Sequence, residues 1–368
     1  MGLFKAVTSV FNKIKPFFGN PLINLGVTLF LAWVLRPKVP EIEDFGTNEF
    51  DDFERGLLIN KQSNDANIPV IYGERLVGGT RVFMETSGTD NTYLYMAIVM
   101  SEGEINSIEE VRVDDKVVTF ASSLSDGTEV EVGSGDSNFF KNSESLIRIE
   151  PHFGTDNQAA SDLLSTLSSW GSNHRLRGLC YLAIRFKWNQ DAFTGIPKVQ
   201  AKIKGKKVVT LASNLSEQTA SFSTNPAFCL LDYLRNTRYG KGIATSEIDL
   251  QSFYDASQVC ETQVTPFSGG SDINIFDTNA AIDTSQKIID NVREMLKGCR
   301  GYLPYTNGKY KLIIETIGSA AITLTEDDII GGYNLSIPTK NERYNRVIVG
   351  FVNPDRNFQV DEVQFPPI

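Results

Sequence analysis

The spacing of apolar residues divides the chain into stretches of different period. Leu3, Phe4, Val7, Val10, Phe11, Ile14 and Phe17 recur every three or four residues, which predicts an amphipathic helix on a basic segment, ended or kinked at Pro16. From Pro16 to Leu35 there follow 20 residues without a charge, richest in apolar side chains from Leu22 onward. Pro21, Asn24 and Gly26 interrupt that run, which leaves it short of the roughly 20 continuous apolar residues that cross a bilayer. Glu41, Glu43, Asp44, Glu49, Asp51, Asp52 and Glu54 then form an acidic linker.

Beyond the linker the period shortens. Residues 67–83 read as two short strands broken at Gly78-Gly79, and 91–100 ("NTYLYMAIVM") as a central strand, apolar on both faces. Residues 105–120 read as a hairpin turning at Asp114-Asp115, and the Ser-, Gly- and Asp-rich 122–145 as a surface insertion. A short helix is predicted at about 157–168, with Leu163, Leu164 and Leu167 on one side. Residues 178–188 read as a long strand, and 199–209 as a strand pair turned at Gly205. The five lysines between Lys198 and Lys207 alternate with apolar residues and predict a solvated strand face.

The texture then becomes helical. Asn225 caps a helix starting at Pro226, with Ala227, Leu230, Leu231 and Leu234 as its stripe and Gly240 as its stop. Thr245, Ser246 and Asp249 open a second helix, and Thr284 a third whose buried face holds Ile288, Ile289, Val292, Met295 and Leu296. Residues 302–314 form a hairpin around Asn307-Gly308, and 346–352 a strand. The fold class is α+β and β-rich. The boundaries are a basic and apolar helical segment at 1–40, the acidic linker at 41–55, a β domain at 56–220 with an insertion at about 121–175, a helical α/β domain at 221–318, and the start of a further β domain at 319–368.

Composition narrows the chemistry. With 368 residues, 41% hydrophobic and 22% charged, the chain can bury a sizeable core, and its net charge of -10 argues against broad nucleic-acid binding. The four cysteines form no CxxC pair and lie in apolar segments, where a thiol behaves as a small hydrophobe. Only two histidines occur, His152 and His174, both in polar surroundings that read as loops. No phosphate loop, GxGxxG, HExxH or GxSxG motif is present, and the glycine-aspartate stretch 133–138 lacks calcium-loop spacing. No enzyme activity, cofactor or metal is expected.

"NPAFCLLDYLRNTRYGKG", residues 225–242, raises the possibility of a phosphate cradle, but its glycines follow a helix instead of preceding one. It resembles the helix-and-turn signature of the tail tip attachment proteins of lambda-like siphophages, the protein J or host-specificity family. The matching residues are Asp232, Leu234, Arg238, Tyr239 and Gly240. Residues 68–80, 101–118, 283–314 and 341–358 are similar to further stretches of that family, in the same order.

The resemblance implies a baseplate-hub fold: tube-like β-barrel domains with a smaller inserted α/β domain, here preceded by the N-terminal hydrophobic helical segment. It implies a homotrimer at the virion tail tip, assembled in the host cytoplasm, which closes the tail tube, contacts tail tip and tail tube proteins and the tape measure protein, and lets DNA pass without sequence-specific binding. Family members usually continue well beyond the part matched here. The segment 1–38 is not part of the matched pattern, and three readings of it stand: burial against another subunit, conditional host membrane contact, or a single-span anchor. Its contact residues, toward membrane or tape measure protein, would be Phe17, Phe18, Leu22, Leu25, Leu29, Phe30, Leu31, Trp33 and Leu35. Within the marker, Asp232 and Arg235 are spaced to pair on the helix, and Tyr239 to pack back on Leu231 or Leu234. Rival readings are a tail-associated glycan hydrolase and a membrane-anchored β-rich adhesin.

Overall fold

The structure is a computed structural model and describes residues 57–61, 66–265, 270–316, 322–332 and 344–366. The predicted N-terminal helix, its nine contact residues and the acidic linker lie outside the described residues. The described part is β-rich α+β, with three α-helices: α1 (Pro226–Arg235), α2 (Leu250–Cys260) and α3 (Ile288–Gly298).

Two antiparallel sheets make the β body. The first runs in the order Thr80–Ser87, Tyr93–Glu102, Leu179–Lys187, Ile147–Phe153, Val130–Glu131. The second runs Ser221–Phe222, Val199–Val208, Ile105–Val113, Lys116–Val117, with Glu74–Val77 also paired to Val199–Val208. Side chains alternate between the faces of a strand, so each central strand of the first sheet feeds two cores. Met96, Ile98, Met100, Leu182 and Ile184 meet Ile105, Ile108, Val199, Ala201 and Ile203 of the second sheet. Their neighbours Tyr95, Ala97, Val99, Tyr181 and Ala183 face the other way, onto Leu163, Leu164, Leu167 and Trp170. Burial on both faces is the reason that 91–100 carries apolar residues without alternation.

The 155–178 segment that covers this second face is not the helix that Leu163, Leu164 and Leu167 predict. It holds only a 3-10 turn, Leu164–Thr166. Its three leucines are buried as expected, but they pack from a turn instead of from one helical face. The 122–145 stretch likewise gives Val130, Val132 and Phe139 to the body core.

The strand Val70–Tyr72 lies between two cores. Ile71 points into the β body, while Val70 and Tyr72 point into the core built by the three helices. It pairs antiparallel with Ala280–Ile282 of the helical region. Gly205 belongs to this junction and does not turn the chain: Val199–Val208 is one continuous strand through it. A Cβ at Gly205 would stand 2.2 Å from the Ile71 carbonyl oxygen, and its N–H donates to the Gly73 carbonyl at 2.7 Å. Close approach, not a bend, calls for glycine there.

The other predicted turns are turns. Asp114 and Asp115 have φ of 49° and 63°, and Asn307 and Gly308 have 54° and 75°. The third helix starts at Ile288, not at Thr284, whose hydroxyl instead donates to the Ile68 carbonyl at 3.0 Å. At the C-terminal end, Val347–Asn353 pairs with Gln359–Phe365 as a hairpin. Its turn seats Phe358 against the second sheet, with Lys202 Nζ 5.9 Å from the ring and Arg112 Nη1 donating to Asn357 Oδ1 at 2.9 Å.

Candidate functional site

The marker stretch begins with a helix whose start is locally determined. Asn225 Oδ1 accepts from the Ala227 N–H at 3.0 Å, and Pro226 occupies the first turn, where no N–H partner is needed. The Asn225 amide also donates to the Ser257 carbonyl at 3.1 Å and to Glu261 Oε1 at 2.8 Å, which ties α1 to the end of α2. Leu230, Leu231, Tyr233 and Leu234 are buried in the helical core.

The helix ends at Arg235, with Asn236 in extended conformation as its cap. Gly240 is therefore not its stop. Asn236 Oδ1 accepts from the N–H groups of Arg238 (2.8 Å) and Tyr239 (3.2 Å), folding the chain back. The left-handed residue of this corner is Gly242, with φ of 69°. Gly240 meets a different need: a Cβ there would lie 1.7 Å from the Tyr233 carbonyl oxygen.

This return brings three marker residues to the junction with the β body. Asp232 Oδ2 accepts from the Tyr72 hydroxyl at 2.6 Å and from the Tyr239 hydroxyl at 3.3 Å. Tyr239 packs against the helical core that holds Leu231 and Leu234 and stacks on Tyr233, with ring centroids 6.2 Å apart. Arg238 grips Glu102 with two nitrogens, Nε to Oε1 at 2.6 Å and Nη2 to Oε2 at 3.2 Å. Asp232 does not pair with Arg235, which reaches Glu217 at 2.8 Å instead. Leu234 is buried in the helical core, and its carbonyl accepts from the Ile243 N–H at 2.9 Å.

The lysine row on the Val199–Val208 strand joins the same surface. Lys202, Lys204 and Lys206 each stand 5.9 Å over a ring, those of Phe358, Phe222 and Tyr239. Lys202 and Lys204 also pair with Glu74 and Glu109. They serve as internal struts and not as a freely solvated face.

Burial and charge set the protonation of these groups. Burial, with the Asp232 charge close by, holds the Tyr72 and Tyr239 hydroxyls well above the ordinary tyrosine range, so both remain donors. Burial raises Glu102, and the nearby Arg238 guanidinium only partly offsets this. Desolvation likewise raises the thiols of Cys180, Cys229, Cys260 and Cys299, all buried and free.

A second polar cluster escapes sequence reasoning. His152, which reads as a loop residue, is 3% exposed in the Ile147–Phe153 strand, and its ring stacks on Tyr181 at 4.4 Å. Its Nε2 lies 3.1 Å from Glu150 Oε1. Glu150 also accepts from the Ser161 hydroxyl (2.5 Å) and from the N–H groups of Leu163 (2.8 Å) and Asp162 (3.2 Å). Desolvation pushes the Glu150 carboxyl up, but His152, Ser161 and Leu163 outweigh it and hold the group below its ordinary value. Because the serine hydroxyl donates to the carboxylate and not to the imidazole, the trio is no activated nucleophile. It fastens the 161–163 turn to the sheet. The one usable signal is the strand alternation continuing from Ile147 and Ile149 through Phe153.

Asp136, in the glycine-aspartate stretch, is buried and accepts from the N–H groups of Thr119, Asn138 and Phe139, which makes it a loop anchor. Among the described residues no group of three or more His, Cys, Asp or Glu could hold a metal ion. Among the same residues no helix is long and apolar enough to cross a membrane.

No protein-family model matches the chain. Among curated proteins it is similar to Baseplate hub protein pb3 of Escherichia phage T5, 23% identical over 81% of this chain and 37% of that protein. The chain thus spans well under half of that relative's length. Among solved structures it is similar to a chain of the virion of a native gene transfer agent particle, with a TM-score of 0.55 and 13% identity, covering 84% of this chain and 67% of that one. The structural likeness is one of fold. Both relatives are virion components, and neither is named as a protein J.

Proposed function

We propose that the chain is a structural hub protein of a long non-contractile phage tail. Three copies close the tail tube at the tip and organise tip and tube proteins for host attachment and DNA ejection. The observation that supports this reading is the similarity to a baseplate hub protein across most of the chain. The site geometry agrees with an architectural role. The marker residues Asp232, Arg238 and Tyr239 are engaged in contacts at the junction of the helical region and the β body, and Gly240 packs against the Tyr233 carbonyl within the helical region.

On this reading the chain is assembled in the host cytoplasm and resides at the tail tip, with the protein J group of hubs as its narrower kin. The tape measure protein would meet residues 1–38, which enter the host membrane on ejection. An acidic lumen would repel DNA phosphates during passage, in keeping with the net charge of -10. No catalytic step or cofactor is needed.

Gold-labelled antibody against the chain, viewed on intact particles by electron microscopy, tests the assignment. Label at the distal end of the tail is expected, and label on the capsid or on no particle would refute it. For the N-terminal segment, flotation of the chain with and without residues 1–40 on anionic vesicles is the check. Flotation that does not depend on the segment, or none at all, removes the membrane contact.

A further inference from the structure

We infer that the 171–178 loop is the contact by which one copy of the chain docks on a carboxylate-bearing face of the next copy. This rests on the trimeric hub reading above and adds the residues that join its copies.

The loop, "GSNHRLRG", contains His174, Arg175 and Arg177, and no acid occurs anywhere from 163 to 190. It is held in one shape from beneath. Gln158, 4% exposed, donates its amide to the carbonyls of Arg175 (2.9 Å) and Leu176 (2.8 Å). The His174 ring leans on Trp170 with centroids 5.2 Å apart, and Leu176 sits at a φ of 47°. A loop tied this firmly to a core loses little freedom on docking.

Among the described residues its guanidinium groups have no carboxylate of their own. Arg175 donates Nε to the Ser172 carbonyl at 2.8 Å and Arg177 donates Nε to the Gln158 carbonyl at 3.4 Å, and neither makes an ion pair among the described residues. Elsewhere on the β body Arg148, Lys187, Lys198 and Lys202 are each paired to an acid. Asn173, Arg175, Leu176 and Arg177 instead line an open hollow of about 350 Å³. A planar guanidinium with free N–H groups takes a carboxylate through two parallel bonds.

Charge complementarity selects the partner. Two arginines would displace too few counterions to hold nucleic acid against a net charge of -10. A closed ring needs two different patches of the same chain that fit each other. Outside the loop's two arginines the chain carries a net charge of -12, so carboxylates for the second patch are in excess.

The test is the mass of the full chain by sedimentation and native mass spectrometry, for wild type, Arg177→Glu and the double variant R175E/R177E. A trimer is expected for wild type, weakened between about 0.1 and 0.5 M salt as surface ion pairs are screened. The double variant is expected to associate at least about tenfold more weakly while melting at the wild-type temperature, with Arg177→Glu intermediate. Variants that trimerise like a trimeric wild type would overturn this inference and leave the hub reading standing. A monomeric wild type would sink the hub reading itself, and this inference with it. Retention of a duplex DNA probe that the variants lose, at unchanged trimer mass, would also overturn it, because the loop would then be a phosphate contact.

Discussion

Glu102 and Glu150 stand on strands that flank the same neighbour, Leu179–Lys187, and both are buried, yet their carboxyls shift in opposite directions. Glu150 is surrounded by donors: a hydroxyl and two backbone N–H groups replace the water it lost, with the His152 ring 3.1 Å away. Glu102, at the end of its strand, faces chiefly Arg238, whose side chain is 71% exposed. Burial alone therefore does not decide the charge of a carboxylate; the count of fixed donors does. The difference also separates two roles. Glu150 locks one segment onto its own sheet, whereas Glu102 joins the β body to the marker turn through a contact that water can reach.

The largest effect is expected at Glu150. Replacing it by alanine leaves the Ser161 hydroxyl and the Leu163 N–H buried without their acceptor and should cost about 3–5 kcal/mol in urea unfolding, the usual range for a broken buried charged network. A loss below about 1 kcal/mol would mean that the 161–163 turn finds other acceptors. Next comes Gly240→Ala, where the new Cβ meets the Tyr233 carbonyl and the backbone must shift. About 1–3 kcal/mol is expected, as for other overpacked sites, together with weakened hydrogen-exchange protection of residues 236–243. Tyr72→Phe removes one donor from Asp232 and leaves Tyr239 as the other. Its cost should be about 1–2 kcal/mol.

The smallest effect on stability is expected for Arg238→Ala, because an exposed guanidinium contributes under about 1 kcal/mol. Its signature is a shift in titration: without the opposing cation Glu102 should move further up, readable by NMR of the labelled side chain. The two carboxyls also give opposite pH slopes. Glu150, held below the ordinary 4.5, contributes stability that is present above that value and lost as pH falls through the folded pKa. Glu102, raised above 4.5, contributes stability that is present at lower pH and lost as pH rises through its folded pKa. Unfolding curves of Glu150→Gln and Glu102→Gln across pH 3–7 should therefore bend away from wild type in opposite senses. Parallel curves would remove the contrast.

Much of the fold is legible in the sequence where the requirement is local. Asn307-Gly308 and Asp114-Asp115 need positive φ within two residues, and Asn225-Pro226 needs a cap and a first turn. Gly205 and Gly240 are harder. A glycine that turns the chain and one that admits another backbone look alike until the partners, Ile71 and Tyr233, are known. The candidate site shows the same limit. Its residues stand out in the sequence, but Arg238 finds Glu102 136 positions away and Asp232 finds Tyr72 160 positions away. Helix spacing instead suggests the local pair Asp232 and Arg235. His152 is hidden by its polarity: Glu150 stands two positions before it, but nothing in the sequence announces Tyr181, on which its ring stacks.

A closed hub of identical copies, as proposed above, has a defined mass. The most direct measurement is the native mass of the purified chain over a range of concentrations at low salt. A trimer that persists on dilution is expected, and a stable monomer at every concentration would rule the closed hub out.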